Sequence, residues 1–196
     1  KEGRKAIKFH FPEYENNFFG KFLKELTSDK KNHFVKLDPK IASVIYAADR
    51  FESKSKLEKY LREGYFIVLD RYVSANQIHQ GGKIKNEKKR QEFLNWLDEM
   101  EYKVFKIPKP DLALYLSLEL STAQKLTRER AKIEGMKSDK LDRDLEYQKN
   151  SRMSAMKLLK ENRRMKVIDC EDEDWTIKSR QEIADLVWQQ VKKILK

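Results

Sequence analysis

Three groups of residues in this 196-residue chain combine guanidinium, carboxylate and amide groups at spacings that suit an anionic ligand. The first is Asp70-Arg71-Tyr72, which ends the apolar run Phe66–Leu69 and leads to Asn76. A charged pair is costly to bury and weak when exposed, so its place at the end of a buried run calls for a ligand. The second is Tyr46 with Arg50, four residues apart and therefore on one helical face. The third is Arg128 with Arg130, at the head of a segment, 128–144, that is almost wholly charged. Planar guanidinium forks match phosphate oxygens, which makes compact arginine groups informative where scattered lysines are not. Other chemistries lack support. His10, His33 and His79 are too dispersed for a Cys/His metal cluster, no Ser/His/Asp motif is present, and the lone Cys170 reads as a buried thiol.

The elements that must position these groups are legible. Four short apolar runs, Ala6–Phe11, Phe66–Leu69, Leu112–Leu118 and Met165–Ile168, read as strands. Those at 66 and 112 hardly alternate, which predicts strands buried on both faces of a parallel sheet. Helical patterns lie between them: Phe19, Phe22, Leu23 and Leu26; a run opened by Asp38-Pro39 through Ile41, Val44, Ile45 and Ala48; Phe93, Trp96, Leu97 and Met100; and a final one from Ile183 to Ile194. Ser121 and Gln124 predict a capping box. Residues 79–90 read as a surface loop, 128–144 as a mobile lid, and Gly3 as a C′ residue. Strands alternating with helices imply an α/β sandwich whose ligands sit beyond the carboxyl ends of the strands.

Composition bounds the setting. Lys and Arg number 43 against 32 Asp and Glu, a net charge of +11 that favours anionic partners. Apolar residues, at 39%, suffice for one packed domain over 1–196. No apolar run is long enough to span a bilayer, and the first residues lack a signal-peptide pattern. One cysteine excludes an intrachain disulfide and fits a reducing, cytoplasmic compartment.

In order, "FHFPEY", "YAADRF", "IVLDRYVSAN", "PKPDLALYLSL" and "LTRERAK…SDKLDRDLEYQKNSR" resemble thymidylate kinase, a P-loop nucleoside-monophosphate kinase family. The match runs from about Phe9 to Arg152. The Walker A pattern G-x-x-x-x-G-K-[ST] is not in this sequence, since neither Gly20-Lys21 nor Gly82-Lys83 has the upstream Gly or the following Ser/Thr. The resemblance implies a three-layer sandwich, a parallel sheet flanked by helices, whose central first strand and phosphate loop lie upstream of Lys1. It also implies a lid at about 126–144.

The resemblance implies these roles. Tyr46 stacks on the thymine ring, Arg50 bonds the base edge, and Asn76 reads N3. Pro12 and Tyr14 approach the sugar and acceptor phosphate. His79 falls where some relatives carry a Tyr against the 2′ position, and Glu13 where some carry an arginine. Arg71 clamps the monophosphate. Asp70 orients Mg²⁺-bound waters or Arg71 itself. Arg128 and Arg130 neutralise the transferring phosphoryl group, and Asp139 and Asp142 match an acidic feature of the lid. Positive charge on both sides suits an anionic acceptor attacking an anionic donor. The implied function is transfer from ATP to dTMP giving dTDP, for dTTP biosynthesis. Mg²⁺ accompanies the donor, and a homodimer forms through the stripes at 41–48 or 93–100, with no membrane or nucleic-acid partner. The alternatives are a related deoxynucleotide or deoxynucleoside kinase of other base preference, or a degenerate nucleotide- or nucleic-acid-binding module.

Overall fold

The computed structural model describes residues 3–28, 34, 36–133 and 144–195. The chain divides into two compact units, 1–109 and 110–196, each described by itself. Both combine parallel strands with helices, the α/β class expected.

In the first unit β1 (Ala6–His10) pairs in parallel with β2 (Phe66–Asp70), with Ala6 opposite Phe66 and His10 opposite Asp70. Three helices make the crossover: α1 (Phe18–Ser28), α2 (Pro39–Glu52) and α3 (Lys54–Arg62). Alternation turns Phe9 and Phe11 inward against Leu57, Tyr72, Val73 and Ile107. The Asp38 carboxylate caps α2 by accepting from the N–H groups of Lys40 (2.8 Å) and Ile41, with Pro39 in the first turn, as predicted. After β2 come α4 (Val73–Gly81), α5 (Glu87–Asp98) and a π-helical turn (Glu99–Val104) that continues α5 without a break.

In the second unit β3 (Ala113–Ser117) pairs in parallel with β4 (Met165–Asp169), joined through α6 (Leu120–Ile133) and α7 (Leu145–Glu161); α8 (Arg180–Lys192) follows.

Four expectations need correction. Residues 79–90 are not one loop: α4 runs to Gly81 and α5 starts at Glu87, with Asn86 as its N-cap, so only the short link between them is irregular. The capping box is not at Ser121, because α6 already begins at Leu120 and the Ala123 N–H bonds the Glu119 carbonyl; the box that forms joins Ser179 and Glu182 at the head of α8. The stripe at 93–100 is core, since Phe93, Leu97 and Met100 are buried. The strands are not covered on both faces among the described residues: Val68 is 55% exposed and Leu116 54%.

Candidate functional site

The end of β2 delivers Asp70 and Arg71 together. Arg71 has φ 63°, a left-handed conformation uncommon for a residue with a side chain. Its side chain is exposed, whereas Tyr72 beside it is buried and donates its hydroxyl to the Pro108 carbonyl at 3.0 Å. One carboxylate oxygen of Asp70 takes both Lys8 Nζ and His10 Nδ1, each at 3.2 Å. Partial burial acts to raise the Asp70 pKa, but these two hydrogen bonds outweigh it and hold the carboxyl below its ordinary range. The sheet register explains the group: Lys8 and His10 alternate onto the face that Asp70 shares.

A second set lines α2. Ser43, Tyr46 and Arg50 recur at helical spacing, and α4 meets them through Asn76. The Asn76 amide donates to the Ser43 carbonyl at 3.2 Å and accepts from the Ser43 hydroxyl at 3.4 Å, which fixes which way the buried amide faces. Tyr46 is half-buried, its ring 5.5 Å from that of Phe34 at 66°. Arg50 is 3% exposed and pairs bidentately with Glu101, itself 0% exposed, through Nε to Oε2 (3.1 Å) and Nη2 to Oε1. The sequence reading missed Glu101. Its signal was a carboxylate at helical spacing from Phe93 and Leu97, on an otherwise apolar stripe.

Beside Arg71 gathers more positive charge. Burial, with the nearby charges of Arg71 and Lys83, pushes the His79 pKa down to about 4. Burial also lowers Lys83, to about 8, against the pull of Asp38. His79 is thus a neutral imidazole at physiological pH, placed among cations that an anion would relieve. Lys83 was the other residue missed; it stands just after the glycine pair that made this stretch look like a loop.

The Phe11-Pro12 peptide is cis, and Pro12 and Glu13 are buried while Tyr14 is half-buried. The Glu13 carboxylate accepts from Ser53 Oγ at 3.0 Å, and its N–H donates to Asp49 Oδ1 at 3.2 Å. Glu13 therefore braces the turn from inside. Burial pushes the Asp49 carboxyl up, with the neighbouring Glu13 adding to it.

Arg128 and Arg130 are exposed near the end of α6, two residues apart and so on different sides of the helix. They belong to the second unit. Asp139 and Asp142 lie outside the described residues. In the same unit Arg152 bonds the Leu118 carbonyl at 2.7 Å and the Glu119 carboxylate, fixing the segment after β3. Among the described residues no group of three or more His, Cys, Asp or Glu could hold a metal ion. No helix there is long and apolar enough to cross a membrane. Asp70 is half-exposed, and the carboxylate oxygen that Lys8 and His10 leave open faces no described partner.

The thymidylate kinase family model matches residues 1–183. A probable thymidylate kinase of Pyrobaculum aerophilum is 30% identical over 95 residues, 48% of this chain and 44% of that protein. The thymidylate kinase of Homo sapiens is 30% identical over 126 residues, 63% and 51% of the two. That of Mycobacterium tuberculosis is 23% identical over 150 residues, 76% and 69%. The chain spans about half the length of the first two. The structure of a thymidylate kinase from Candida albicans superimposes with a TM-score of 0.67 at 20% identity, over 96% of this chain and 80% of that one, a likeness of fold.

Proposed function

This chain belongs to the thymidylate kinase family, and on that premise we propose that it accepts dTMP for phosphoryl transfer from ATP, giving dTDP. The observation that carries the reading is Arg71, held left-handed at the carboxyl end of β2 with Lys83 and neutral His79 close by. Backbone strain of that kind costs about 1–3 kcal/mol and collects where a side chain must be aimed. Arg71 clamps the acceptor phosphate. Tyr46 packs on the thymine ring, while Arg50 and Asn76 meet its edge. Pro12 and Tyr14 shape the sugar side. Arg128 and Arg130 offset the donor's charge. No general base is needed, because the acceptor phosphate is already ionised. Mg²⁺ held by the donor phosphates would shield their charge, and Asp70 would accept from its waters. The single domain over 1–196, the cytoplasmic setting and a homodimer belong to the same reading.

A second reading, a kinase of broader base preference, is supported by the broad substrate specificity of the Candida albicans thymidylate kinase, whose fold this chain shares. Calorimetric titration of the chain with dTMP, dUMP, dCMP and dGMP separates the two. The first reading expects dTMP to bind tightest, with dCMP and dGMP at least tenfold weaker. Equal affinities for all four would remove thymine recognition and leave the broader one.

A further inference from the structure

Arg50 and Glu101 are 51 positions apart and meet in a buried, two-bond pair. Glu101 reaches it from the π-helical turn Glu99–Val104. Such turns occur mostly as single insertions in α-helices and are frequent at functional sites. The pair commits the Nε–H and one Nη2–H of the guanidinium. No described residue accepts from Nη1, so that side of the fork keeps its donors. The same helical face of α2 carries Tyr46 and the Ser43–Asn76 pair. A guanidinium on a flexible stem reads an acceptor only as well as its plane is held.

We propose that Glu101 is a positioning residue for nucleobase selection. It fixes the plane of Arg50 so that the free donors of Nη1 present to a ring carbonyl and not to a ring amino group. The inference rests on the reading of Arg50 as a base-edge contact. A keto pyrimidine such as thymine offers an acceptor at its 4-position. Cytosine offers an amino donor there, which a locked, acceptor-free guanidinium opposes. Glu101 thereby sets the ratio of the two affinities without touching either base.

The test is equilibrium binding of dTMP, dCMP and 2-deoxyribose 5-phosphate to the wild-type chain, Glu101→Gln, Arg50→Met and the double variant Arg50→Met/Glu101→Gln. Glu101→Gln keeps the side chain's shape but loses the charge and one acceptor. It is expected to lower the dTMP-to-dCMP affinity ratio at least fivefold while changing deoxyribose phosphate binding less than twofold. If Glu101 acts through Arg50, the double variant gives the same ratio as Arg50→Met alone. A Glu101→Gln chain that melts as a folded protein and keeps the wild-type ratio within twofold overturns the inference. So does a double variant whose loss is the sum of the two separate losses. Should Glu101→Gln fail to fold, Glu101→Asp, which keeps the charge on a shorter arm, carries the same two outcomes. A wild-type chain that binds dCMP as tightly as dTMP would instead refute the thymine-reading assignment itself, a result distinguishable from the others.

Discussion

At the scale of single residues, the site is a set of charges whose partners set their state. Arg71 carries backbone strain that the surrounding fold sustains while its exposed fork stands at the carboxyl end of β2. Replacing it with Ala removes charge-assisted hydrogen bonds of about 1.5–3 kcal/mol each. Binding of dTMP, followed by calorimetry, is therefore expected to weaken roughly ten- to a hundredfold. His79 supplies a pH dependence whose sign is fixed by its depressed pKa, about 4 in place of 6.5. A histidine kept neutral by folding contributes stability above its unfolded pKa and loses it as pH falls toward the folded value. Denaturant melts should show a loss of roughly 3 kcal/mol between pH 7 and pH 4 from this residue. His79→Gln should flatten that part of the curve; an unchanged slope would mean that the imidazole is already charged. Asp49 runs the other way, since a raised carboxyl pKa gives stability that is lost as pH climbs through it.

Elements are where residues gain position, and α1 shows how tightly. Asn17 caps it by accepting from the Gly20 N–H at 2.6 Å, while Glu52 at the end of α2 takes the N–H groups of Phe18 and Phe19, each at 3.0 Å. A Cβ on Gly20 would overlap the Glu13 carbonyl oxygen, backbone that cannot swing aside. Gly20→Ala is thus expected to destabilise by about 1–3 kcal/mol and, by displacing the 11–14 turn, to weaken dTMP binding too. Asp38→Ala should cost about 1 kcal/mol through the lost cap on α2, with binding affected less. All four strands could be read in advance because each is an apolar run bounded by polar residues, and the Asp38-Pro39 start of α2 because both residues act locally. The Arg50–Glu101 pair could not, because a carboxylate on an apolar helical face does not say what it meets, and its partner is 51 positions away. The Ser121 box failed for a smaller reason: capping patterns are common, and α6 started two residues too early for that serine to use its side chain. The resemblance singled out Tyr46, Arg50, Asn76 and Arg71, whereas the contacts of Ser43 with Asn76 and of Glu101 with Arg50 came only from the packing.

At the scale of the whole molecule, one apolar stripe remains for a partner copy. Burial removed 93–100 from contention, whereas Ile41 and Val44 on α2 are 55% and 41% exposed. If the proposed homodimer uses this face, Ile41→Lys with Val44→Glu should shift the mass seen in light scattering from two chains to one. Tyr46 and Arg50 lie on the same helix, so dTMP affinity should fall with dissociation. A mass unchanged by both substitutions would move the interface elsewhere.

Each two-stranded sheet, β1 with β2 and β3 with β4, leaves its outer strand edges without a described partner, next to exposed Val68, Leu116 and Val167. Such edges template pairing with other chains. The counterweight is the net charge of +11, whose repulsion keeps molecules apart at low ionic strength. Screening shortens that repulsion from about 10 Å at 0.1 M salt to about 3 Å at 1 M. Solutions of the chain are therefore expected to turn turbid on adding salt and to stay clear when charged residues are placed along these edges, as light scattering would show.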